Sequence, residues 1–281
     1  MDIIHNIGEL QRKLHSQKEN GLSIGFVPTM GALHQGHISL VEKASRENDI
    51  VVVSIFVNPT QFNNPDDLQN YPRTLDADTT LLRKHKCNFV FAPDEKTIYP
   101  EPDTRIFSFG RLEEVMEGMH RPGHFTGVAR VVSKLFSIVK PHKAYFGEKD
   151  FQQLAIIQNM VDQMKFDTSI VPCPIIREED GLAMSSRNAL LTPAQRNVAS
   201  SIYQAMKKVE KKYNTNTINE LKSYFKEAVE LSPLLKVEYV EIADELTLEP
   251  IDQKLDKQHV RLFVAVHAGD VRLIDNLKIN S

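Results

Sequence analysis

Residues 23–57 read SIGFVPTMGALHQGHISLVEKASRENDIVVVSIFV, and this stretch decides the fold. Ser23–Pro28 is a short apolar run of the kind that forms a buried strand. His37–Glu47 then sets Ile38, Leu40, Val41 and Ala44 at helical spacing, and Asp49–Val57 is a run rich in β-branched residues. Short continuous apolar runs of this composition suit strands covered on both faces, whereas the spacing between them is that of an amphipathic helix.

Working outward, the alternation continues. Leu75–His85 has helical spacing, and Asn88–Phe91 reads as a strand. Phe125–Val139 places Val128, Val131, Val132, Leu135, Phe136 and Val139 on one helical face. Lys143–Phe146 is a short strand, Asp150 precedes the helical run Phe151–Met164, and Ser169–Val171 closes the series. Strands alternating with helices predict a parallel sheet with helices on both faces. The two prolines of Pro172-Cys-Pro174 discourage further regular structure and place a boundary near Ile176. Beyond it, Thr192-Pro193-Ala-Gln195 has the composition of a helix start, with Thr at the cap, Pro in the first turn and Gln at the third helical position. Val198, Ile202, Ala205 and Val209 follow along one face. A second helix is predicted from about Thr217 to Leu231, then strands over Val237–Ala243, Arg261–His267 and Val271–Leu277. The expectation is α/β: a parallel-sheet domain over 1–176 and a smaller α+β domain over 177–281.

Composition narrows the function. The chain has 281 residues, 41% apolar and 25% charged, as expected of a soluble globular protein. Lys and Arg number 34 against 37 Asp and Glu, a formal net charge of -3. Duplex-binding proteins usually carry a basic excess, so nucleic acid is not an expected partner. The two cysteines, Cys87 and Cys173, form no C-x-x-C and no disulfide framework, which suits a reducing compartment. The first residues lack a signal-peptide core, and the longest apolar run, Ile50–Val57, is too short to cross a bilayer. The expected location is the cytoplasm, with no membrane partner.

The unusual polar residues cluster at strand ends. In open parallel sheets ligands bind beyond the carboxyl ends of the strands. The first strand runs into Pro28-Thr-Met-Gly31-Ala-Leu-His34-Gln-Gly36-His37, the second into Asn58-Pro-Thr-Gln61, and the strand near Tyr145 into Gly147-Glu-Lys149-Asp150. The last leads toward Met184-Ser-Ser-Arg187-Asn188. His34 and His37 flank a helix start, where free N–H groups favour phosphate, and Gly31 and Gly36 let backbone approach a ligand. The alternative is a pair of surface histidines in a polar turn. Lys149 can reach a phosphate as a flexible cation, or be an ordinary surface lysine. Asp150 with Gln153 has the spacing of a capping box, so Asp150 can serve structure, ligand or both. Ser185, Ser186 and Arg187 suit a phosphate clamp or a solvated loop. Asn58 and Gln61 can orient hydroxyl or carboxylate groups, or form an Asx turn. Neither G-x-x-x-x-G-K-[ST] nor G-x-G-x-x-G occurs, which argues against Walker-type kinases and nicotinamide dehydrogenases.

The blocks PTMGALHQGH, FVNPTQF, YPRTLDAD, RPGHFTGVA, FGEKDFQQ, REEDGLAMSSRN and GDVRLIDN occur in this order along nearly the whole chain. Together they resemble the pantoate–β-alanine ligase family, within the wider adenylyl-transfer superfamily marked by His-x-Gly-His. His267 and Ala268, ahead of the last block, are less typical. The resemblance implies a Rossmann-like first domain, a C-terminal lid, a homodimer and a magnesium requirement, with metal ligands left open. It implies that pantoate is activated by ATP as pantoyl adenylate and then joined to β-alanine, with AMP and pyrophosphate released. It implies that His34, His37 and Lys149 contact ATP phosphates and that Ser185, Ser186 and Arg187 close over the triphosphate. These six are the expected catalytic set. Gly147, Asp150 and Met184 are expected to hold adenosine, with Met30 and Ile176 completing the ATP site. Gln61 and Gln153 are expected to grip pantoate, beside Met30 and Asn58, with Tyr71, Arg121 and His124 as further wall residues. A nucleotidylyltransferase would use the same histidines but want a basic acceptor pocket, where this chain offers neutral glutamines. A non-catalytic nucleotide-binding module would need no such combination of His34, His37, Lys149 and Arg187.

Overall fold

The structure is a computed structural model that describes residues 1–254 and 259–279. In chain order the elements are β1 (Asp2–Ile4), α1 (Ile7–Glu19), β2 (Ile24–Thr29), α2 (Gln35–Glu47), β3 (Ile50–Ile55), α3 (Pro65–Asn70), α4 (Leu75–Leu82), β4 (Phe89–Phe91), α5 (Glu95–Ile98), α6 (Met116–His120), α7 (His124–Val139), β5 (Lys143–Gly147), α8 (Phe151–Met164) and β6 (Ser169–Cys173). Then follow α9 (Pro193–Ala199), α10 (Ser201–Lys212), α11 (Ile218–Glu230), β7 (Leu235–Asp244), β8 (Val260–Ala268) and β9 (Val271–Ile279). The chain divides into two compact units. The first comprises residues 1–113, 121–148 and 153–174, and the second 114–120, 149–152 and 175–281.

The first unit holds a six-stranded sheet in the order β1-β4-β3-β2-β5-β6, parallel throughout. Strand alternation divides its core into two layers. Ile24, Phe26, Ile50 and Val52 face a cluster with α1 and α7, while Val27, Val51 and Val53 face α2 and α4. Apolar residues on both faces explain why β2 and β3 read as continuous apolar runs. The strand order reverses between β2 and β5. Their pairing is confined to Gly25–Lys143 and Phe26–Ala144, whereas β2 stays paired with β3 as far as Thr29–Ile55. Pro28, with no N–H to donate, lies past the last β2–β5 pair. The strands therefore part at the topological switch point, where open α/β sheets bind ligands.

One expectation is corrected here, and one strand is added. Pro172 does not end the last strand. It lies inside β6, opposite Phe146, and β6 is an edge strand, where a missing N–H costs no ladder bond. The short N-terminal β1, which the sequence does not announce, pairs in parallel with β4.

The second unit is α+β. Its sheet is antiparallel in the order β7-β8-β9, and the central β8 is buried along almost its whole length. One face packs on α10 and α11 through Ile202, Met206, Leu221, Phe225, Leu262 and Val264. The expected cap at Thr192 is a full capping box, with Gln195 returning the bond to the Thr192 N–H at 2.9 Å. The helix it starts breaks at Ser200 into α9 and α10 rather than running on as one.

Candidate active site

In the first unit the loop after β2 is held by a buried carboxylate. Asp78, on α4 and 3% exposed, accepts from the backbone N–H of Ala32 at 3.0 Å and Leu33 at 2.8 Å, and from Thr74 Oγ1 at 3.2 Å. Gly31 and Ala32 both have positive φ, +84° and +49°. A Cβ on Gly31 would lie 3.1 Å from Asp78 Oδ2. The glycine therefore serves the turn and the close approach of Asp78.

This turn delivers His34 and His37 to the start of α2 as a reciprocal cap. His34 Nδ1 accepts from the Gly36 N–H at 3.1 Å, and His37 Nδ1 accepts from the His34 N–H at 3.3 Å. The two rings lie 4.1 Å apart between centroids. The helix start is thus partly self-capped, and its N–H groups are not all left for a ligand. Since both Nδ1 atoms accept, a neutral ring in either position carries its proton on Nε2. The motif sets both rings at the carboxyl end of β2, each oriented through its Nδ1.

A second group stands beyond β3, in the 3-10 turn Pro59–Gln61. Asn58 is 1% exposed and committed to the protein. Its Nδ2 donates to Gln61 Oε1 at 3.0 Å and Gly127 O at 3.2 Å, and its Oδ1 accepts from Thr60 and from Tyr99 Oη at 2.9 Å. The Gly127 carbonyl can only accept and the Thr60 N–H can only donate, so the Asn58 amide has one permitted orientation. Asn58 in turn fixes Gln61, whose Oε1 faces Asn58 and whose Nε2 points to Met30 Sδ at 3.2 Å. Gln61 therefore presents a donor. Gly127 is obligatory, because a Cβ there would sit 2.3 Å from Thr60 O. Behind Gln61, the buried His124 donates from Nδ1 to the Gln61 carbonyl at 2.8 Å, and Arg121 Nη1 contacts its Nε2 at 3.2 Å. Tyr71 is buried edge-on against Phe62.

In the second unit, Ile176 and Met184 face each other across a tight hairpin, joined by Met184 N–H to Ile176 O at 3.0 Å and by a bridge between Arg177 and Ala183. Gly181 closes the turn at φ +93°, with Tyr203 so close that a Cβ would collide with its ring. Arg177 stacks on Tyr203 and forms a bidentate pair with Asp275, at 2.6 and 3.0 Å. Burial pushes the Asp275 carboxyl up, and the Arg177 guanidinium opposes that shift. Ser185 caps the next turn, its Oγ accepting from the Arg187 N–H at 3.3 Å, while Asn188 ties the turn back to Ala183 O at 3.0 Å. A small cavity brings Lys149, Ser185, Asn188 and Asp275 together. Among the described residues Asn188 Oδ1, buried there, has no hydrogen-bond partner. Lys149 Nζ lies 3.8 Å from Asp150 Oδ2.

The predicted residues thus fall into definite groups. Met30, Asn58, Gln61, Arg121 and His124 meet in one cluster of the first unit, and His34 pairs with His37. Gly147 ends β5 with open space where a Cβ would stand, and Gln153 is partly exposed in the first turn of α8. Lys149 and Ser185 share a cavity in the second unit, where Ile176 opposes Met184. Asp150 ends a 3-10 turn that runs directly into α8. Sequence reasoning missed Asp78, Tyr99 and Asn276 as supports. Asp78 and Asn276 lie in the quoted blocks YPRTLDAD and GDVRLIDN, but nothing in those strings says which backbone groups they engage.

Comparison with known proteins bears on the family and the fold. The family model described as pantoate-beta-alanine ligase matches residues 2–278. A pantothenate synthetase of Bacteroides fragilis is 54% identical over 278 residues, covering 99% of each chain. The crystal structure of pantothenate synthetase from Thermus thermophilus superposes with a TM-score of 0.93 at 41% identity, covering 100% of both chains. A pantoate-beta-alanine ligase from Francisella tularensis, solved with beta-gamma ATP and β-alanine, has a TM-score of 0.85 at 40% identity, covering 100% of this chain and 98% of its own. A parallel sheet opened at its switch point, a histidine pair at that opening and matches over the full length lead to one conclusion: the chain belongs to the pantoate–β-alanine ligase family.

Proposed function

We propose that this ligase adenylates pantoate with ATP and passes the pantoyl group to β-alanine. A pantoate carboxylate oxygen attacks the α-phosphorus, and the bond to the departing pyrophosphate breaks. The β-alanine amine, as free base, then attacks the acyl carbon. The C–O bond breaks, AMP leaves with that oxygen, and the nitrogen loses a proton to solvent. The observation that supports this reading is the reciprocal Nδ1 capping of His34 and His37 at the start of α2, beyond the carboxyl end of β2, where an α/β sheet receives its ligand. Donors aimed at phosphate oxygens are worth most as charge builds in the transition state.

Gln61 supplies a neutral donor to pantoate. Such a group orients a carboxylate or hydroxyl without the desolvation cost of a buried charge. Asn58 acts through Gln61, since its own amide is engaged by the protein, and Gln153 and Met30 are assigned to the same substrate. Lys149, Ser185, Ser186 and Arg187 are assigned to the triphosphate, and Gly147, Asp150, Ile176 and Met184 to the nucleoside. The second unit takes the role of lid. An acyl-enzyme on cysteine is disfavoured, because burial pushes Cys87 up to about 12 and Cys173 up to about 11, leaving both as thiols near neutrality.

Magnesium, a homodimer and a cytoplasmic location belong to the same proposal and rest on family membership. Among the described residues no three His, Cys, Asp or Glu are grouped to hold an ion. When bound with ATP, magnesium would neutralise charge on the phosphates. No helix among the described residues is long and apolar enough to cross a membrane. Product analysis tests the reading. ATP, pantoate and β-alanine should give pantothenate, AMP and pyrophosphate in equal amounts, whereas ADP and phosphate would mean activation by phosphorylation.

A further inference from the structure

The block GDVRLIDN has no part in the chemistry described above, yet its Asn276 is among the most buried polar residues of the second unit, at 2% exposed. Its side chain bridges two groups. Oδ1 accepts from Arg261 Nη1 at 2.6 Å, and Nδ2 donates to the backbone carbonyl of Lys149 at 2.9 Å. Arg261 is itself held. Its guanidinium pairs with Glu245 and lies 4.0 Å over the ring of Phe151, two residues after Lys149. Arginine carries donors only and the Lys149 carbonyl accepts only, so one orientation of the Asn276 amide satisfies both. Next to it, Asp275 anchors Arg177 at the base of the hairpin that leads to Met184–Arg187.

We propose that Asn276 is a positioning residue that sets the Lys149 peptide, and through it the ammonium assigned to the ATP phosphates. The inference rests on the phosphate role proposed for Lys149. Asparagine is required because the two neighbours demand an acceptor on one side and a donor on the other. Asn276→Asp keeps the volume and the Arg261 contact but turns an oxygen toward the Lys149 carbonyl. Repulsion there displaces the peptide that carries the lysine.

A double-mutant cycle tests this, using pantoate-dependent exchange of labelled pyrophosphate into ATP, corrected for folded fraction from thermal melts. Asn276→Asp should reduce kcat/KM for ATP by about 10-fold or more, on the scale of an ångström-level misplacement. The KM for pantoate should stay within about 2-fold. In a Lys149→Ala background, Asn276→Asp should cost no more than about 2-fold further, because the group it positions is gone. An equal loss in both backgrounds overturns the inference and leaves the Lys149 assignment standing. Full activity of Lys149→Ala alone overturns the Lys149 assignment itself. Should Asn276→Asp fail to fold, the same cycle with Asn276→Ala, which deletes the donor without adding repulsion, decides the matter by the same criterion.

Discussion

Asp78→Asn probes the geometry of the histidine pair without touching it. The carboxylate takes bonds from Leu33 N–H at 2.8 Å, Ala32 N–H at 3.0 Å and Thr74 Oγ1 at 3.2 Å. An asparagine keeps one acceptor oxygen. If that oxygen stays with Leu33 and Thr74, the new NH2 faces the Ala32 N–H, donor against donor. Losing a hydrogen bond to a charged group costs about 1.5–3 kcal/mol, and leaving a buried N–H unsatisfied about 1–3 kcal/mol more. Some 3 kcal/mol or more therefore works against the native loop. The loop can relieve it by leaving the strained turn at Gly31 and Ala32, which moves His34 and His37. A shift of about 1 Å in a catalytic group can cost about 10²-fold in rate. The assay is pyrophosphate exchange with ATP and pantoate. We predict kcat down about 10²-fold and the KM for pantoate within about 3-fold, because Gln61 is supported by Asn58 and His124. Exchange at the original rate, in a protein whose melt confirms a native fold, would refute the reasoning.

Three further outcomes follow from the same geometry. His34→Ala and His37→Ala should each slow adenylation by about 10²-fold, the scale of one lost transition-state donor; normal single-turnover formation of adenylate in either variant would remove the pair from the mechanism. Gln61→Ala should weaken pantoate binding, read by calorimetry, by about 5- to 150-fold, corresponding to about 1–3 kcal/mol for a lost buried partner, and Asn58→Ala should fall in the same direction by releasing Gln61. Asp103 is held at about 2 by Arg105, with Lys134 adding to the effect. A carboxyl depressed in the folded state stabilises fully above its ordinary range and loses that contribution as pH falls toward 2. Asp103→Asn should lower the melting temperature at pH 7, with the gap to the parent closing between about pH 4 and pH 2.

The parallel sheet was legible because both its faces are covered. Ile24, Phe26 and Val27 and Ile50 to Val53 carry apolar side chains toward two helical layers, so burial wrote itself into a continuous apolar pattern. The Thr192 cap was legible because a capping box is local, complete within four residues. Elements that depend on distant partners were not. Three-residue β1 exists only through its pairing with β4. Pro172 is tolerated in β6 because no strand lies beyond it. The break at Ser200 interrupts a pattern that fits one helix. At the site, the histidines stood out by type and place, but their mutual capping needs coordinates. Asn58 read as a ligand contact or an Asx turn, and the structure shows a turn whose amide is used up orienting Gln61. Asp78 and Asn276 act on backbone groups 45 and 127 residues away in sequence, and no spacing rule connects them to Leu33 or Lys149.

The central claim is that the pantoate carboxylate attacks the α-phosphorus of ATP, and the fate of its oxygen tests this directly. Pantoate labelled with ¹⁸O in the carboxylate should be incubated with ATP, magnesium, β-alanine and the enzyme, and the products resolved by mass spectrometry. One labelled oxygen is expected in each AMP, none in pyrophosphate, and one retained in the amide carbonyl of pantothenate. Label appearing in inorganic phosphate alongside ADP, or unlabelled AMP, would contradict it.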